Sequence, residues 1–218
     1  MNSEMLAGGQ CGVLICFAVK EEAAPFLKTA TSRRVQTLIT GMGEMNATRA
    51  LERFLERSQP RTVLSCGFAG ALDPALAVGS VIFSHDSDFP FSSHLLSAGA
   101  KPATFYCAAR VATSAREKAE LRGQTGRDAV EMESAAIRRI CQGRGLPSAT
   151  VRVISDAADE DLPLDFNQLM TDNHELNFVK LFGTLILKPG RIPALIGLQR
   201  KTRLAAQNLR RCLEALPV

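Results

Sequence analysis

The amino-acid sequence predicts an α/β fold with three layers, in which a central, mostly parallel mixed sheet is flanked by helices. Short apolar runs alternate with amphipathic helical spans along the chain. Several of the runs are apolar throughout, as expected for strands that are buried on both faces. The chain has 218 residues, of which 46% are hydrophobic, so it can bury one large core. We therefore expect a single domain over residues 1–218.

The order of the apolar runs and helical patterns gives the order of the elements. Strands are predicted over residues 14–19, 35–40, 62–66, 80–84, 104–112 and 149–154. Helices are predicted over residues 21–27, 44–57, 114–121 and within 129–144, and the chain turns helical again after residue 165. Residues 85–102, with their Pro, Ser and Gly, are predicted to form a loop.

The charge distribution argues against a nucleic-acid partner. Lysine and arginine number 26 against 22 acidic residues, and the net charge of +4 is too small to mark a nucleic-acid binder. Residues 188–218 hold seven basic side chains and the single acid Glu214. Leucines recur beside these basic residues, so we predict a basic amphipathic helix at about residues 192–216. Such a helix either caps the core or contacts an anionic membrane surface.

The sequence gives no sign of export or of a metal site. The apolar run over residues 11–19 is shorter than the roughly 20 residues that a membrane span requires. Glu4 precedes this run and Lys20 follows it, which is unlike a secretory signal. The six cysteines show no CxxC spacing, and the three histidines show no metal-ligand spacing. We therefore expect a cytosolic chain with reduced core cysteines, no cofactor and no metal.

Acidic side chains follow predicted strands or begin predicted helices at three places. Each has an ordinary structural explanation, because acids favour helix N-termini and serve as N-caps. The carboxyl ends of parallel strands, however, meet at the edge of a sheet where ligands bind, so together these clusters predict one binding site. The clusters are Glu21-Glu22, Glu131-Met132-Glu133 and Ser155-Asp156.

Two glycine motifs also fall at strand ends. Residues 67–71, Gly-Phe-Ala-Gly-Ala, permit either a tight turn or a close approach of the backbone to a neighbouring group. Residues 41–43, Gly-Met-Gly, precede a predicted helix, but the third glycine of a dinucleotide fingerprint is absent.

These segments, taken together and in order, resemble the nucleoside phosphorylase and nucleosidase superfamily, especially the 5′-methylthioadenosine/S-adenosylhomocysteine nucleosidases. The resemblance covers most of residues 12–170 and rests on five ordered segments rather than on one short motif. The short middle of the chain, Leu162-Pro163 and the basic C-terminal segment look most like the hopanoid-associated members, whose substrate is adenosylhopane. The matching segments are residues 18–22 (AVKEE), 40–43 (TGMG), 67–72 (GFAGAL), 129–136 (AVEMESAA) and 151–156 (VRVISD).

The resemblance implies a role for each of the acidic residues. Asp156 would hydrogen-bond the purine at N7 and at the 6-amino group, and Glu22 would deprotonate the attacking water. Glu133 and Met132 would hold the ribose hydroxyls. Further contacts or supports for the nucleoside are implied at Val19, Met42, Gly67, Phe68, Ala69, Gly70, Glu131, Arg152 and Ser155.

The implied reaction is hydrolysis of an adenine nucleoside, with alternatives left open. A carboxyl at residue 156 can donate to N7 and accept from an exocyclic amine, which favours adenine over a 6-oxo purine. It also argues against futalosine hydrolase, in which an Asn commonly follows this Ser. Phosphorylases of the superfamily carry a Gly-Asp-Pro-x-Arg-like phosphate loop, whereas here Glu21 and Glu22 would repel phosphate, although Lys20 and Arg152 keep a phosphate site open. A nucleoside-binding protein without catalytic activity is the other alternative.

Some features depart from the family pattern and leave the substrate's 5′ substituent open. Phe68 stands where methylthioadenosine nucleosidases usually have a small polar residue, and the segment between His85 and Val111 is shortened. That segment normally carries aromatic residues that contact the base and the partner subunit. Relatives place a partner near the active site, so the resemblance also implies a homo-oligomer, with a dimer favoured.

Overall fold

A computed structural model describes residues 12–29, 35–169 and 189–217 of the chain. Within these ranges eight strands form one mixed sheet in the order β2-β1-β3-β8-β4-β5, with β7 paired to β3 and β6 paired to β7. Neighbours among β2, β1, β3 and β8 run parallel, whereas β4 is antiparallel to β8. The strands are β1 (Val13–Phe17), β2 (Val35–Ile39), β3 (Thr62–Ala71), β4 (Val81–His85), β5 (Lys101–Pro102), β6 (Phe105–Cys107), β7 (Ala129–Glu131) and β8 (Ser148–Asp156).

Helices flank this sheet on both faces, which confirms the predicted three-layer α/β class. The helices are α1 (Lys20–Leu27), α2 (Glu44–Leu55), α3 (Ser92–Ser97), α4 (Ala115–Thr125), α5 (Ser134–Gly143), α6 (Phe166–Leu169) and α7 (Ile192–Glu214), which a short 3-10 turn (Pro189–Arg191) precedes. Ser114 caps α4 as the sequence predicts, since its side chain accepts a hydrogen bond from the N–H of Glu117 at 3.2 Å.

Strand β1 shows how the two helical layers are held on the sheet. All five of its residues are buried, and successive side chains point to opposite faces. Ile15 and Phe17 belong to the core shared with α1 and α7. Leu14 and Cys16 belong to a second core shared with α2 and α5. A continuous apolar run therefore marks a central strand with helices on both sides.

Strand β3 is longer than the sequence predicts. It continues from Thr62 to Ala71 through the glycine-containing segment, so the tight-turn alternative is wrong. The second half of β3 stays extended because it pairs with β8 on one side and, through Gly70 and Ala71, with β7 on the other. The alternative of a close backbone approach is correct and is described with the site below.

Three further local predictions are wrong because tertiary contacts override the local pattern. Residues 129–131 form strand β7 rather than the start of a helix, since they pair with β3 and β6. The predicted loop over residues 85–102 contains α3 and β5. The apolar positions that predict the helix over residues 44–57 include Met45 as a core residue, but its side chain is 60% exposed. Of the helical pattern after residue 165, α6 is present and residues 170–188 lie outside the described ranges.

The basic C-terminal segment forms α7. Its second half packs into the core through four buried side chains, which supports the core-capping alternative for that half. Ile192, Ile196 and Leu204 remain exposed. No helix within the described residues is both long enough and apolar enough to cross a membrane. The four buried side chains that belong to this core are Ala205, Leu209, Cys212 and Leu213, and Ala206 is also buried.

The cysteines agree with the expectation of reduced core residues as far as they are described. The five described cysteines are free thiols. Cys107 is half-buried, and Cys11 lies outside the described ranges. The other four, Cys16, Cys66, Cys141 and Cys212, are buried.

Candidate functional site

A cavity of about 220 Å³ lies at the edge of the sheet where β1 and β8 end, beside β3 and β7. This is the edge at which sheets of this class bind ligands. The residues predicted for the site all line the cavity except Gly67 and Arg152. The lining members are Val19, Glu22, Met42, Phe68, Ala69, Gly70, Glu131, Met132, Glu133, Ser155 and Asp156. The structure thus brings carboxyls from all three acidic clusters to one place.

Glu22 lies in the first turn of α1 and ties three backbone segments together. Its Oε2 accepts hydrogen bonds from the N–H groups of Ala18 (3.0 Å) and Val19 (3.2 Å). Its Oε1 accepts from the N–H of Phe68 at 2.8 Å. The first two bonds satisfy donors ahead of a helix start, which is the ordinary structural role. The third bond goes beyond that role, because it fixes the carboxylate against β3 at the cavity wall.

Strand β3 makes room for Glu22 by carrying no side chain at Gly67. A Cβ atom added to Gly67 would lie 2.6 Å from Oε1 of Glu22 and 2.9 Å from its Cδ. Such contacts are far inside van der Waals distance, so any other residue at position 67 would displace the carboxylate. Gly67 is therefore a spacer beneath Glu22, which corrects its prediction as a substrate contact.

Glu131, Glu133 and Arg152 form a buried ion-pair network. Nη2 of Arg152 lies 2.6 Å from Oε2 of Glu131 and 3.5 Å from Oε2 of Glu133. Glu131 also accepts hydrogen bonds from the N–H groups of Glu133 (3.0 Å) and Ser134 (2.8 Å). Because Glu131 is occupied by its own chain, Glu133 is the carboxyl of this pair that remains for a ligand.

Arg152 lies behind these carboxyls rather than in the cavity. It is 1% exposed and also donates to Oγ of Ser65 at 3.1 Å. Its prediction as a direct substrate contact is therefore corrected: Arg152 can act on a ligand only through Glu131 and Glu133. Lys20, the other cation considered for a phosphate, is exposed.

The glycine motif before α2 supplies a backbone donor to the same network. Gly43 has a φ of 84°, a left-handed conformation that favours glycine, and its N–H donates to Oε1 of Glu133 at 2.8 Å. Met42, one residue earlier, lines the cavity. The turn over residues 41–43 thus positions the carboxylate of Glu133.

The carboxyls of the site differ in how readily they ionise. Burial raises the pKa of Glu22 above its ordinary value, against the opposing effect of its hydrogen bonds and of Arg152. Burial, together with the neighbouring charge of Glu131, raises the pKa of Glu133 to about 7. Burial also opposes ionisation of Glu131, but Arg152 and the hydrogen bonds from Ser134 outweigh it and lower the pKa of Glu131. Glu131 is therefore the permanent anion of the network.

A β-bulge in β8 aims Asp156 at the cavity. Ala69 of β3 pairs with Ile154, whereas the next residue, Gly70, pairs with Asp156, so Ser155 is the extra residue of the bulge. In a regular ladder, Ser155 would take the place of Asp156 and the alternation of side chains would be reversed. A Cβ atom on Gly70 would lie 3.1 Å from Oδ2 of Asp156, so this glycine also leaves room for an acid.

Both carboxylate oxygens of Asp156 have partners within the chain. Oγ of Ser155 donates to Oδ1 at 2.6 Å, and Nζ of Lys118 lies 2.5 Å from Oδ2. Lys118 belongs to α4, is fully buried, and also donates to the backbone oxygens of Ala157 (2.7 Å) and Glu160 (2.9 Å). Asp156 ends strand β8, so the alternative of a helix N-cap is wrong.

Sequence reasoning missed the part of the site that lies off the sheet. The missed lining residues come from the segment before α4, from the region around α6 and from α7, and nothing local marks them as cavity walls. Lys118 was missed because charged residues occur throughout α4. Its only lysine is buried, but in the sequence it looks like the exposed charged residues around it. The missed lining residues include Arg110, Val111, Ala112, Leu162, Phe166, Leu198 and Thr202.

The arrangement is suited to proton transfer. Four carboxyl side chains, those of Glu22, Glu131, Glu133 and Asp156, line a small cavity whose other walls are mainly apolar. Within the part of the chain that the structure describes, no three His, Cys, Asp or Glu side chains are grouped so that they could hold a metal ion. The site therefore offers general acids, general bases and hydrogen-bond acceptors at one place.

Comparison with known proteins shows the class to which this fold and site belong. The family model described as the phosphorylase superfamily matches residues 24–96 and 95–186. Because the match covers more than half of the chain, the chain belongs to the phosphorylase superfamily, as the sequence motifs predict.

Several individual relatives that the chain matches are nucleosidases, which agrees with the expectation of an N-ribosyl hydrolase. The 5′-methylthioadenosine/S-adenosylhomocysteine nucleosidase of Shewanella sp. (strain W3-18-1) is 27% identical over 173 residues, which cover 64% of this chain and 75% of the relative. A mutant of the Helicobacter pylori nucleosidase MTAN, solved with 5′-methylthioadenosine in its active site, has a TM-score of 0.64 at 18% identity, covering 95% and 100% of the two chains. The futalosine hydrolase of Helicobacter pylori strain 26695 has a TM-score of 0.61 at 17% identity, covering 94% and 98%. The two solved structures show that the fold is shared.

Substituting Gly67→Ala tests the spacer role of that glycine. We expect a loss of about 1–3 kcal/mol in the free energy of unfolding, because the new Cβ overlaps the Glu22 carboxylate in a buried strand. Gly123→Ala in α4 is the control, because a Cβ there has open space and alanine favours a helix by up to about 1 kcal/mol. Urea denaturation measures both, and a Gly67→Ala variant as stable as the Gly123→Ala variant would contradict the role.

Substituting Glu133→Gln tests the ionisation of Glu133 through its effect on stability. A carboxyl whose pKa is raised in the folded state contributes stability below its ordinary pKa, and that contribution is lost as the pH rises through about 7. Glutamine cannot ionise, so the melting temperature of the variant relative to wild type should increase from pH 5 to pH 8. The corresponding change in the free energy of unfolding of the variant relative to wild type is at most about 3 kcal/mol. Glu52→Gln, on the exposed side of α2, should show no such trend; a parallel pH dependence of wild type and Glu133→Gln would refute the shift.

Proposed function

We propose that the chain hydrolyses the N-glycosidic bond of an adenine nucleoside and releases adenine. The observation that carries this proposal is the convergence of Glu22, Glu133 and Asp156, from three distant segments, on one cavity of about 220 Å³. Cleavage of this bond develops positive charge on the ribose and negative charge on the leaving base. It therefore needs an acid at the base, acceptors for the sugar hydroxyls and a base for the nucleophile.

Asp156 is assigned to the purine. A carboxyl can donate to N7 and accept from the 6-amino group, whereas a 6-oxo purine presents acceptors at both positions. Ser155 and Lys118 hold the two oxygens from behind, which leaves the outer edge of the carboxyl for the base. This chemistry favours adenine over the base of a 6-oxo nucleoside, although a futalosine hydrolase shares the fold.

Glu133 is assigned to the ribose. Its Oε1 accepts a hydrogen bond from the N–H of Gly43, and the neighbouring Glu131 is paired with Arg152. An anionic acceptor for the hydroxyls also counters the positive charge that forms on the sugar in the transition state. Met132, beside it, supplies an apolar wall for the sugar ring.

Glu22 is assigned to the attacking water. A carboxylate offers about four acceptor positions, and the backbone donors of Ala18, Val19 and Phe68 use three of them, so one remains for a water molecule. Burial raises the pKa of Glu22, which makes its anion a stronger base than an exposed carboxylate.

The volume and walls of the cavity support a substrate with a compact nucleoside part and an apolar 5′ substituent. The volume is below the 300–1,000 Å³ typical of pockets for larger ligands, so a long 5′ group must leave the cavity. Leu162, Phe166 and Leu198 give the wall off the sheet an apolar character. Phe68 and Thr202 also line a groove between α1 and α7, which gives a larger lipid-like substituent a path. Both a methylthio group and a lipid therefore stay in the proposal.

Phosphorolysis is the weaker alternative because each cation considered near the cavity either pairs with a carboxylate or lies outside the cavity. Arg152 is buried and paired with Glu131, and Lys20 is exposed. Arg110 lines the cavity but pairs with Glu117 at 2.6 Å. Phosphate would also have to approach Glu22, whose anion repels it.

An assay of released products tests the proposal and its alternatives together. We expect adenine and free ribose derivative from methylthioadenosine, S-adenosylhomocysteine, adenosine or an adenosylated lipid, with no requirement for phosphate. Formation of ribose 1-phosphate only when phosphate is added would instead establish a phosphorylase. Binding of nucleosides without release of base from any of them would establish a non-catalytic protein.

Substituting Asp156→Asn should lower kcat for adenine release by about 10²-fold or more, because an amide cannot protonate N7. Asp159→Asn, at an exposed position three residues later, should leave kcat unchanged. Unaltered turnover of the Asp156→Asn variant would reject Asp156 as the general acid.

Substituting Glu22→Gln should lower kcat by about 10²-fold or more while leaving the affinity for a substrate analogue within a few-fold. In wild type, kcat/KM should fall with decreasing pH at a pH above the ordinary range of a carboxyl, because the raised pKa of Glu22 removes its anion there. The neighbouring Glu21→Gln, at an exposed position, is the matched control. Wild-type rates in the Glu22→Gln variant would remove Glu22 from the mechanism.

A further inference from the structure

Lys118 is a fully buried lysine whose every N–H has a partner. Its Nζ lies 2.5 Å from Oδ2 of Asp156 and donates to the backbone oxygens of Ala157 and Glu160 at 2.7 and 2.9 Å. Lysine is almost never fully buried unless it is paired, because removal of an ammonium from water is costly. The three bonds exhaust the donors of an ammonium and hold Nζ at one point against the carboxyl.

The position of Lys118 relative to the cavity matches a need of the proposed reaction. Asp156 faces the cavity, while Lys118 contacts it from the side away from the ligand and does not itself line the cavity. A carboxylate that gives a proton to N7 must regain one for the next turnover. Ser155 donates to the other oxygen, but a hydroxyl is a far weaker acid than an ammonium. Lys118 is therefore the charged proton donor in direct contact with Asp156.

We propose that Lys118 is a positioning residue that fixes the carboxyl of Asp156 and supplies, through it, the proton that the leaving purine takes up. The inference rests on the proposed nucleosidase function and deepens it. The proton of the Asp156 carboxyl passes to N7 as the C1′–N9 bond breaks with its electron pair on the base. The Nζ proton of Lys118 passes to Oδ2 in its place. Water adds its oxygen to C1′ as a hydroxyl and gives its other proton to Glu22. Release of that proton from Glu22 to solvent and uptake of one proton by Lys118 then restore the starting state.

The arrangement also explains why an apolar residue does not occupy position 118. Asp156 has Ser155 at one oxygen and Gly70 close to the other, so an apolar residue at position 118 would leave its carboxylate buried without a cation. Lys201, by contrast, pairs with Glu160 at 2.6 Å while 40% exposed, and it ties the same loop to α7 without touching Asp156.

The test compares Lys118→Met with the matched control Lys201→Met in full-length protein, using the adenine nucleoside that wild type cleaves best. In Lys118→Met we expect kcat to fall about 10²-fold with KM changed less than about threefold, because the proton supply is lost and the ligand contacts remain. We also expect the alkaline limb of kcat to move to higher pH by about one pH unit or more, because a neighbouring ammonium favours the anion of a carboxyl and its removal lets the carboxyl keep its proton at higher pH. Lys201→Met should retain the wild-type limb and rate. Circular dichroism and thermal melting verify that both variants are folded.

A second comparison keeps the proposal testable if Lys118→Met folds poorly with its carboxylate unpaired. The double variant Lys118→Met/Asp156→Asn leaves no unpaired charge at positions 118 and 156, and its kcat should equal that of Asp156→Asn alone because Lys118 acts only through Asp156. Two outcomes would show a structural role and overturn the proposal. One is a kcat of the double variant below that of Asp156→Asn. The other is a kcat of Lys118→Met that is lowered at every pH while the alkaline limb of its pH profile does not move. Absence of adenine release by wild type and by Lys201→Met would instead overturn the nucleosidase function, and this inference with it.

Discussion

The structure depends on the burial of several carboxylic acids around one small cavity. Glu22, Glu131, Glu133 and Asp156 are each less than 10% exposed, and their mutual repulsion opposes folding. Two buried cations behind these acids offset this repulsion. Arg152 stabilises the anion of Glu131, and Lys118 contacts Asp156. Glu22 and Glu133 are held instead by backbone N–H groups and retain raised pKa values. This division separates Glu131, whose pKa is lowered and which stays an anion, from Glu22 and Glu133, whose pKa values are raised.

The convergence of the acids could be predicted from the sequence because it follows from the sheet. Apolar runs identify β1, β3 and β8 as buried parallel strands, and such strands deliver the residues that follow them to one edge. Glu22 and Asp156 are found there for that reason. The order of the motifs added Glu133, which follows the short strand β7 that the apolar pattern did not reveal.

Other parts of the site depend on contacts that a local pattern cannot show. The continuation of β3 through its glycines results from pairing with β7, a segment that reads locally as the start of a helix. The position of Arg152 behind the carboxyls follows from the alternation of β8, but a strand buried on both faces gives no sign of which face holds the ligand. Lys118 lies in a helix with little apolar periodicity, so its burial is decided by the loop at Ala157 and Glu160. The walls from α6 and α7 are brought in from the far end of the chain.

The two glycines of β3 have a consequence for the dimensions of any ligand. Gly67 lies against Glu22 and Gly70 against Asp156, so the two acids stand over one strand three residues apart. Three residues of extended backbone span about 10 Å. The main chain of β3 therefore sets the distance between Glu22 and Asp156, and substitution of side chains cannot change that length of backbone. Selection for different substrates must therefore act on the cavity walls that the helices contribute, while the distance between the two acids stays fixed.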